Sequence, residues 1–261
     1  MKLHRTYAIV LRYLYLFRRS FDRLSDAFYW PTIDLLLWGL TSVYFRTYIP
    51  NASTLIIMMV SGILFWIIVW RGQYEITVNL LEDLWNENLI NIFVAPISFA
   101  EWVLAFVVIG VIKALVSFGF AMVVAFLLYR VKLFFFGWYF VPLIGLLIMT
   151  GWAVGFFVAG LILRFGTKIQ TFAWTMVAVI SPFSAIYYPV SVLPGWAQAV
   201  ARVIPTSYVF EEARRVINRG TLDYRQLGIS LALNLVYLTV GLVFLYRSFK
   251  AALNRGLVKV Y

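Results

Sequence analysis

The stretch from Lys168 to Arg202, KIQTFAWTMVAVISPFSAIYYPVSVLPGWAQAVAR, decides how this chain is built. Between its two charged ends lie 33 uncharged residues, among them Pro182, Pro189, Pro194 and Gly195. One helical crossing of a bilayer takes about 20 residues and two take about 40. The run is too long for one untilted crossing and too short for two. Each interior proline removes a helical hydrogen bond and clashes with the preceding turn. The spacing therefore predicts one crossing at about 169–187 and then a segment, within 188–225, that dips into the bilayer and returns. Such backbone is tolerated at depth only against protein or a water-lined cavity.

The flanking sequence agrees. Apolar runs cover 27–45 (broken by Asp34), 54–70, 102–129 (broken by Lys113), the interval between Lys132 and Arg164, and that between Arg225 and Arg247. With 169–187 they predict six crossings in an all-α integral membrane protein, one transmembrane domain over 1–261. Composition excludes the alternatives. The chain is 63% hydrophobic and 13% charged, against roughly 45–50% and about 25% in soluble domains, and its mean hydropathy is +0.89. A net charge of +11 would point to nucleic acid in a soluble chain. Here the basic residues sit at the ends of apolar runs, as membrane anchors do.

Residues 1–26 read differently. Leu3, Tyr7, Val10, Leu14, Phe17, Phe21 and Leu24 form one apolar stripe at helical spacing, with Arg5, Arg12 and Arg19 on the far face. An amphipathic helix on the membrane surface is expected, its arginines toward anionic headgroups. Arg12, Arg18 and Arg19 interrupt any early apolar region, so a cleaved signal peptide is not expected. Segment 71–101, with Glu75, Glu82, Asp83 and Glu87 before Pro96, is expected to lie outside the crossings. Six crossings with cytoplasmic termini leave thirteen Lys and Arg inside and eight outside, Arg46 among the latter, the usual inward bias.

Catalytic chemistry is sparse. Without cysteine, and with His4 as the single histidine, thiolate sites, His/Cys metal clusters and histidine-assisted nucleophiles have no material. No phosphate-binding loop occurs, so nucleotide chemistry would have to come from a partner. Gly151 and Gly155 form a small-xxx-small pair that permits close helix approach. Asp34 and Lys113 are ionisable groups inside crossings and so candidates for function; a Lys113–Asp34 pair is one expectation.

The motif Tyr188-Pro189-Val190-Ser191-Val192-Leu193-Pro194-Gly195-Trp196, continuing through Pro205, Tyr208, Glu212 and Arg215, resembles the outer-face motif of ABC transporter permeases of the type-2 exporter class. Residues 79–98, an acidic stretch ending in Ala95-Pro96-Ile97-Ser98, resemble that class's cytoplasmic coupling segment. The resemblance implies a homodimeric permease of the cytoplasmic (inner) membrane that is not itself an enzyme. Separate ABC ATPase subunits would bind ATP and Mg and dock on Glu82, Asp83, Glu87 and Pro96. The cargo implied is amphiphilic: a lipid-linked polysaccharide, a drug or a lipid. A gradient-driven secondary transporter and a membrane-embedded enzyme remain the other readings. The cysteine-free background makes orientation testable. An Asn254→Cys chain is expected to react with a membrane-impermeant thiol reagent only once the membrane is opened; reaction in intact cells reverses the orientation.

Overall fold

The computed structural model describes residues 2–45, 48 and 52–254. Arg46 and residues 255–261, which entered the charge count, lie outside the described residues. Among the described residues all regular secondary structure is helical. Four helical segments are long and apolar enough to cross a membrane: Thr54–Trp85, Phe99–Tyr129, Leu133–Ile169 and Tyr224–Asn254. The protein is an all-α, membrane-embedded chain.

Helix α1, Leu3–Arg19, contains neither Gly nor Pro and ends where Ser20 becomes extended. Helix α2, Phe21–Phe45, passes through Pro31 without stopping. Helix α3 runs from Ala52 to Trp85, and 34 residues at ~1.5 Å each give about 50 Å. Arg71 ends the apolar run, but the helix itself continues through the acidic stretch, because its charged side chains find partners within the protein. Left-handed backbone at Glu87, φ 53°, then turns the chain into the short α4, Leu89–Val94. Ser98 and Glu101 form a reciprocal cap that starts α5, Phe99–Tyr129.

Beyond a turn at Leu133–Tyr139, α6 spans Phe140–Phe165. The proline-rich stretch resolves into α7, Phe172–Ile180, α8, Gly195–Ala201, and α9, Pro205–Arg219, before α10, Tyr224–Asn254. Regular helix in the expected crossing 169–187 thus covers only nine residues, flanked by 3-10 turns at 166–169 and 181–183. Pro182 lies in the second of these turns, where it cannot donate to continue the α ladder.

Side-chain pairings give the helix directions. Asp26 meets Arg71 while Ser42 meets Met59, so α2 is antiparallel to α3. Gln73 bonds Ala173, and a Gly62 side chain would strike Ile186, so α7 is antiparallel too. Thr150 with Asn234 and Arg164 with Ser248 make α6 and α10 parallel. Helix α3 is central: 78% of its most apolar stretch is buried, against 22% for α10. It carries one apolar core toward the α9 end, around Leu64, Phe65, Phe136 and Phe210, and another toward the α1 end, around Ile76, Leu80, Trp102 and Phe106.

The α3–α6 seam depends on glycine. A Cβ on Gly151 would lie 2.6 Å from the Val69 carbonyl oxygen and 3.1 Å from Gly72 Cα. Neither obstacle is a flexible side chain, so the helices must separate. Gly151→Leu is therefore expected to destabilise by at least the ~1–3 kcal/mol typical of overpacking, visible as a lowered unfolding temperature in detergent. Gly145→Ala on the same helix, where a Cβ meets nothing within 4 Å, should leave it unchanged or slightly raised.

Candidate functional site

Polar residues interrupt the apolar interior of α3 at Arg71, Gln73, Glu75, Thr77 and Asn79, all buried. Glu75 accepts from Lys113 Nζ of α5 and lies 3.6 Å from Arg71, one turn away. Arg71 in turn donates to the Asp26 carboxylate at 2.7 Å and to the Asp26 carbonyl. Lys113 also sits 4.8 Å from the centre of the Phe17 ring. The intramembrane lysine thus pairs with Glu75 and not with Asp34. The reason is packing: α5 lies against α3 with Gly110 beside Glu75, whereas Asp34 lines a cavity between α2, α3 and α7.

A second set of pairs fastens α1 to the end of α3. Asp83 is buried and accepts from Arg12, Tyr13 and Asn88. Burial, and then the Asp83 charge, push the Tyr13 phenol far above its ordinary range, so it remains a neutral donor. Glu82 pairs with Arg23. Arg5 donates to the Pro96 carbonyl, and the Lys2 amide to Glu101 at 2.5 Å. Two of the three arginines expected to face lipid headgroups, Arg5 and Arg12, therefore hold the protein together; Arg19 is exposed. Leu3, Tyr7 and Phe21 of the apolar stripe are exposed, while Val10 packs inward. The acidic stretch changes meaning accordingly. Glu82 and Asp83 are engaged, and the tip presents Glu87, Ile90, Val94 and Pro96.

In the 188–225 segment the motif residues stabilise turns. The Leu193 carbonyl accepts from Gln198 at 2.8 Å, and Pro194 caps α8. Pro189 leads into a 3-10 turn. Trp196 is exposed with its ring edge-on to Phe183. Pro205 opens α9 and its carbonyl accepts from Ser230, and Tyr208 donates to the Arg202 carbonyl. Glu212 accepts the Asp223 amide and pairs with Arg215, which also holds Asp223 at 3.0 Å and draws its carboxyl below the usual range. Arg214 ties α9 to the Ala185 and Tyr188 carbonyls.

A groove runs along α3, walled by α2 and α7. Trp66, Trp70 and Tyr74 recur every four residues on α3, which places them on one face. Trp70 and Tyr74 stack with centroids 6.5 Å apart, and Trp38 stacks on Tyr187 at 4.5 Å. Nearer α1, Trp85 stacks on Trp174 at 6.3 Å. Two cavities lie along this face. One, of about 270 Å³, is lined by Trp30, Asp34, Trp66, Trp70, Arg71 and Tyr187 among others. The other, of about 250 Å³, is charged, with Asp22, Arg23, Asp26, Glu75, Glu82 and Lys113 in its walls. Of the residues singled out in the sequence, Asp34, Lys113 and Glu82 come to this groove. The aromatic wall and the Arg71–Glu75 pair do not follow from any one motif, although Trp66-x3-Trp70-x3-Tyr74 is a readable period.

No protein-family profile matches the chain, and no curated protein does. The ion pairing yields its own test. Lys113→Met leaves Glu75 buried with one partner fewer, a change that costs about 3–5 kcal/mol when a buried pair is broken. Adding Glu75→Gln should recover part of the lost thermal stability, and adding Asp34→Asn should recover none. Recovery with Asp34→Asn alone would put the pairing elsewhere.

Proposed function

We propose that this chain is the transmembrane permease subunit of an ATP-driven exporter. The observation that carries the reading is the aromatic face of α3 between α2 and α7, along which two cavities lie. A second copy facing it would close the groove into a path lined by both chains. Six chain runs of alternating direction, α2, α3, α5, α6, α7 and α10, support six passes with both ends of the chain on one side. On this reading α7, at nine residues, crosses together with its flanking turns. The α8–α9 segment then forms the outer re-entrant part and α1 lies along the cytoplasmic surface.

An aromatic cavity next to a charged one suits an amphiphilic cargo better than an inorganic ion. ATP and Mg would be held by separate cytoplasmic ATPase subunits docking on the tip between α3 and α5. The internal pairing of Glu82 and Asp83 supports a narrower dock than the acidic stretch implies: Glu87, Ile90, Val94 and Pro96. One observation favours a gradient-driven transporter instead, namely Asp34, a carboxylate in the groove without a counter-charge.

Purification from native membranes separates the two. The chain is expected to bring down a nucleotide-hydrolysing subunit in stoichiometric amount. Glu87→Lys with Val94→Glu should lose that subunit while leaving the chain inserted, since a wrong charge at an interface costs several kcal/mol. Transport by the lone chain in vesicles, driven by an ion gradient without ATP, would replace the exporter reading with the other.

A further inference from the structure

Asp34 is the charge in the groove that the rest of the protein leaves over. Among the described residues no hydrogen bond or ion pair reaches its carboxylate, although the side chain is half-buried. Its neighbours in the cavity are the rings of Trp30, Trp66, Trp70 and Tyr187. The one cation in the same wall, Arg71, is offset twice, by Asp26 at 2.7 Å and by Glu75 at 3.6 Å. Glu75 also takes Lys113. Two cations thus face two carboxylates, and the cavity is left with the single negative charge of Asp34.

We propose that this cleft binds the ammonium group of an organic cation, quaternary or heavily alkylated. Ring faces carry negative potential and attract such groups, which shed their weakly held water readily when surrounded by aromatic walls. The carboxylate supplies the net charge that the rings lack. An anion would meet Asp34 unscreened. A bare divalent metal needs six or more oxygen ligands for calcium, or near-ideal octahedral ones for magnesium, and a single carboxylate does not supply them. A cavity of about 270 Å³ has room for a multi-atom headgroup. This assignment deepens the exporter reading by naming the substrate class. It rests on that reading for transport, though not for binding.

Binding is measured without ATP or partner, on the full chain in nanodiscs of phosphatidylglycerol and phosphatidylethanolamine, lipids that carry no choline. The calorimetric probes are choline, its uncharged carbon isostere 3,3-dimethylbutan-1-ol, and glucose. Choline is expected to bind at least tenfold more tightly than the isostere, with Asp34→Asn, which keeps the shape, removing that advantage. Trp30→Leu should weaken choline severalfold and Trp30→Phe should restore most of it. Trp30 is 53% exposed, so these variants leave the fold intact. Equal affinity for choline and the isostere, no binding of choline, an unaffected Asp34→Asn, or preferential binding of glucose at this site would each overturn the proposal. Choline binding that survives while no ATPase associates would overturn the exporter reading and leave this one standing.

Discussion

A charge taken out of water stays charged only when it is paired and hydrogen-bonded, and along its second half α3 carries Arg71, Glu75 and Asp83 buried and Glu82 partly so. Each can stay only if a neighbour neutralises it, and the neighbours come from three other elements. Lys113 brings α5, Asp26 and Arg23 bring the first turns of α2, and Arg12 with Tyr13 brings α1. Electrostatic necessity on one helix therefore fixes three more around it. The pairs do not drive folding in the sense that apolar burial does, since desolvation offsets much of their attraction. They specify which arrangement is tolerable.

The remaining helices are placed by close approach and by backbone acceptors. Gly151 and Gly155 let α6 lie against α3 almost backbone to backbone. Gln73 reaches the Ala173 carbonyl at 2.9 Å and so pins the short α7. With α5, α6, α7 and α2 all committed, one strip of α3 is less tightly covered: Trp70 and Tyr74 on it are partly exposed, while Trp66 is buried and its ring meets Phe210. The groove is thus a consequence of where the partners of α3 had to go. It is also where an unpaired Asp34 is tolerated, because the half-buried carboxylate borders a cavity.

The helical class, the long apolar segments and the amphipathic N-terminus were legible because each depends on local composition and period. Arg71 marks the end of an apolar run but not of the helix, and its partner is 45 positions away in Asp26. The same holds for Asp83, whose burial depends on Arg12 and Tyr13, far off in sequence. Hydropathy counts charges singly, whereas the membrane responds to pairs. The proline-rich stretch was readable as irregular, but the length of α7 was not, because Pro182 sets only where a helix must stop. Tertiary bonds to Gln73 decide where it begins. The glycine pair at 151 and 155 was visible, and its meaning required knowing that Val69 and Gly72 lie opposite.

Helix α3 joins two places that the proposed function must link. Its last turns hold Glu82 and Asp83 beside the tip that would receive an ATPase, and its middle holds the aromatic strip. From Trp66 to Trp85 is 19 residues of unbroken helix, about 28 Å at the usual rise. A continuous helix with its buried charges paired is stiff over that length, so a tilt imposed at the tip displaces the strip as well. Helix α1 would move with it, because Arg12 and Tyr13 grip Asp83, and the first turns of α2 would follow through Arg23. The second wall behaves differently. Helix α7 meets α3 through Gln73 and Thr77 on the Ala173 carbonyl, through Trp85 stacked on Trp174, and through buried apolar contacts, and is flanked by 3-10 turns at both ends. The mechanical asymmetry follows: one wall of the groove is bound to the moving helix by ion pairs, while the other is held by uncharged contacts alone, a shared backbone acceptor, a ring stack and apolar packing. A tilt of α3 would therefore change the width of the groove instead of carrying it along unchanged.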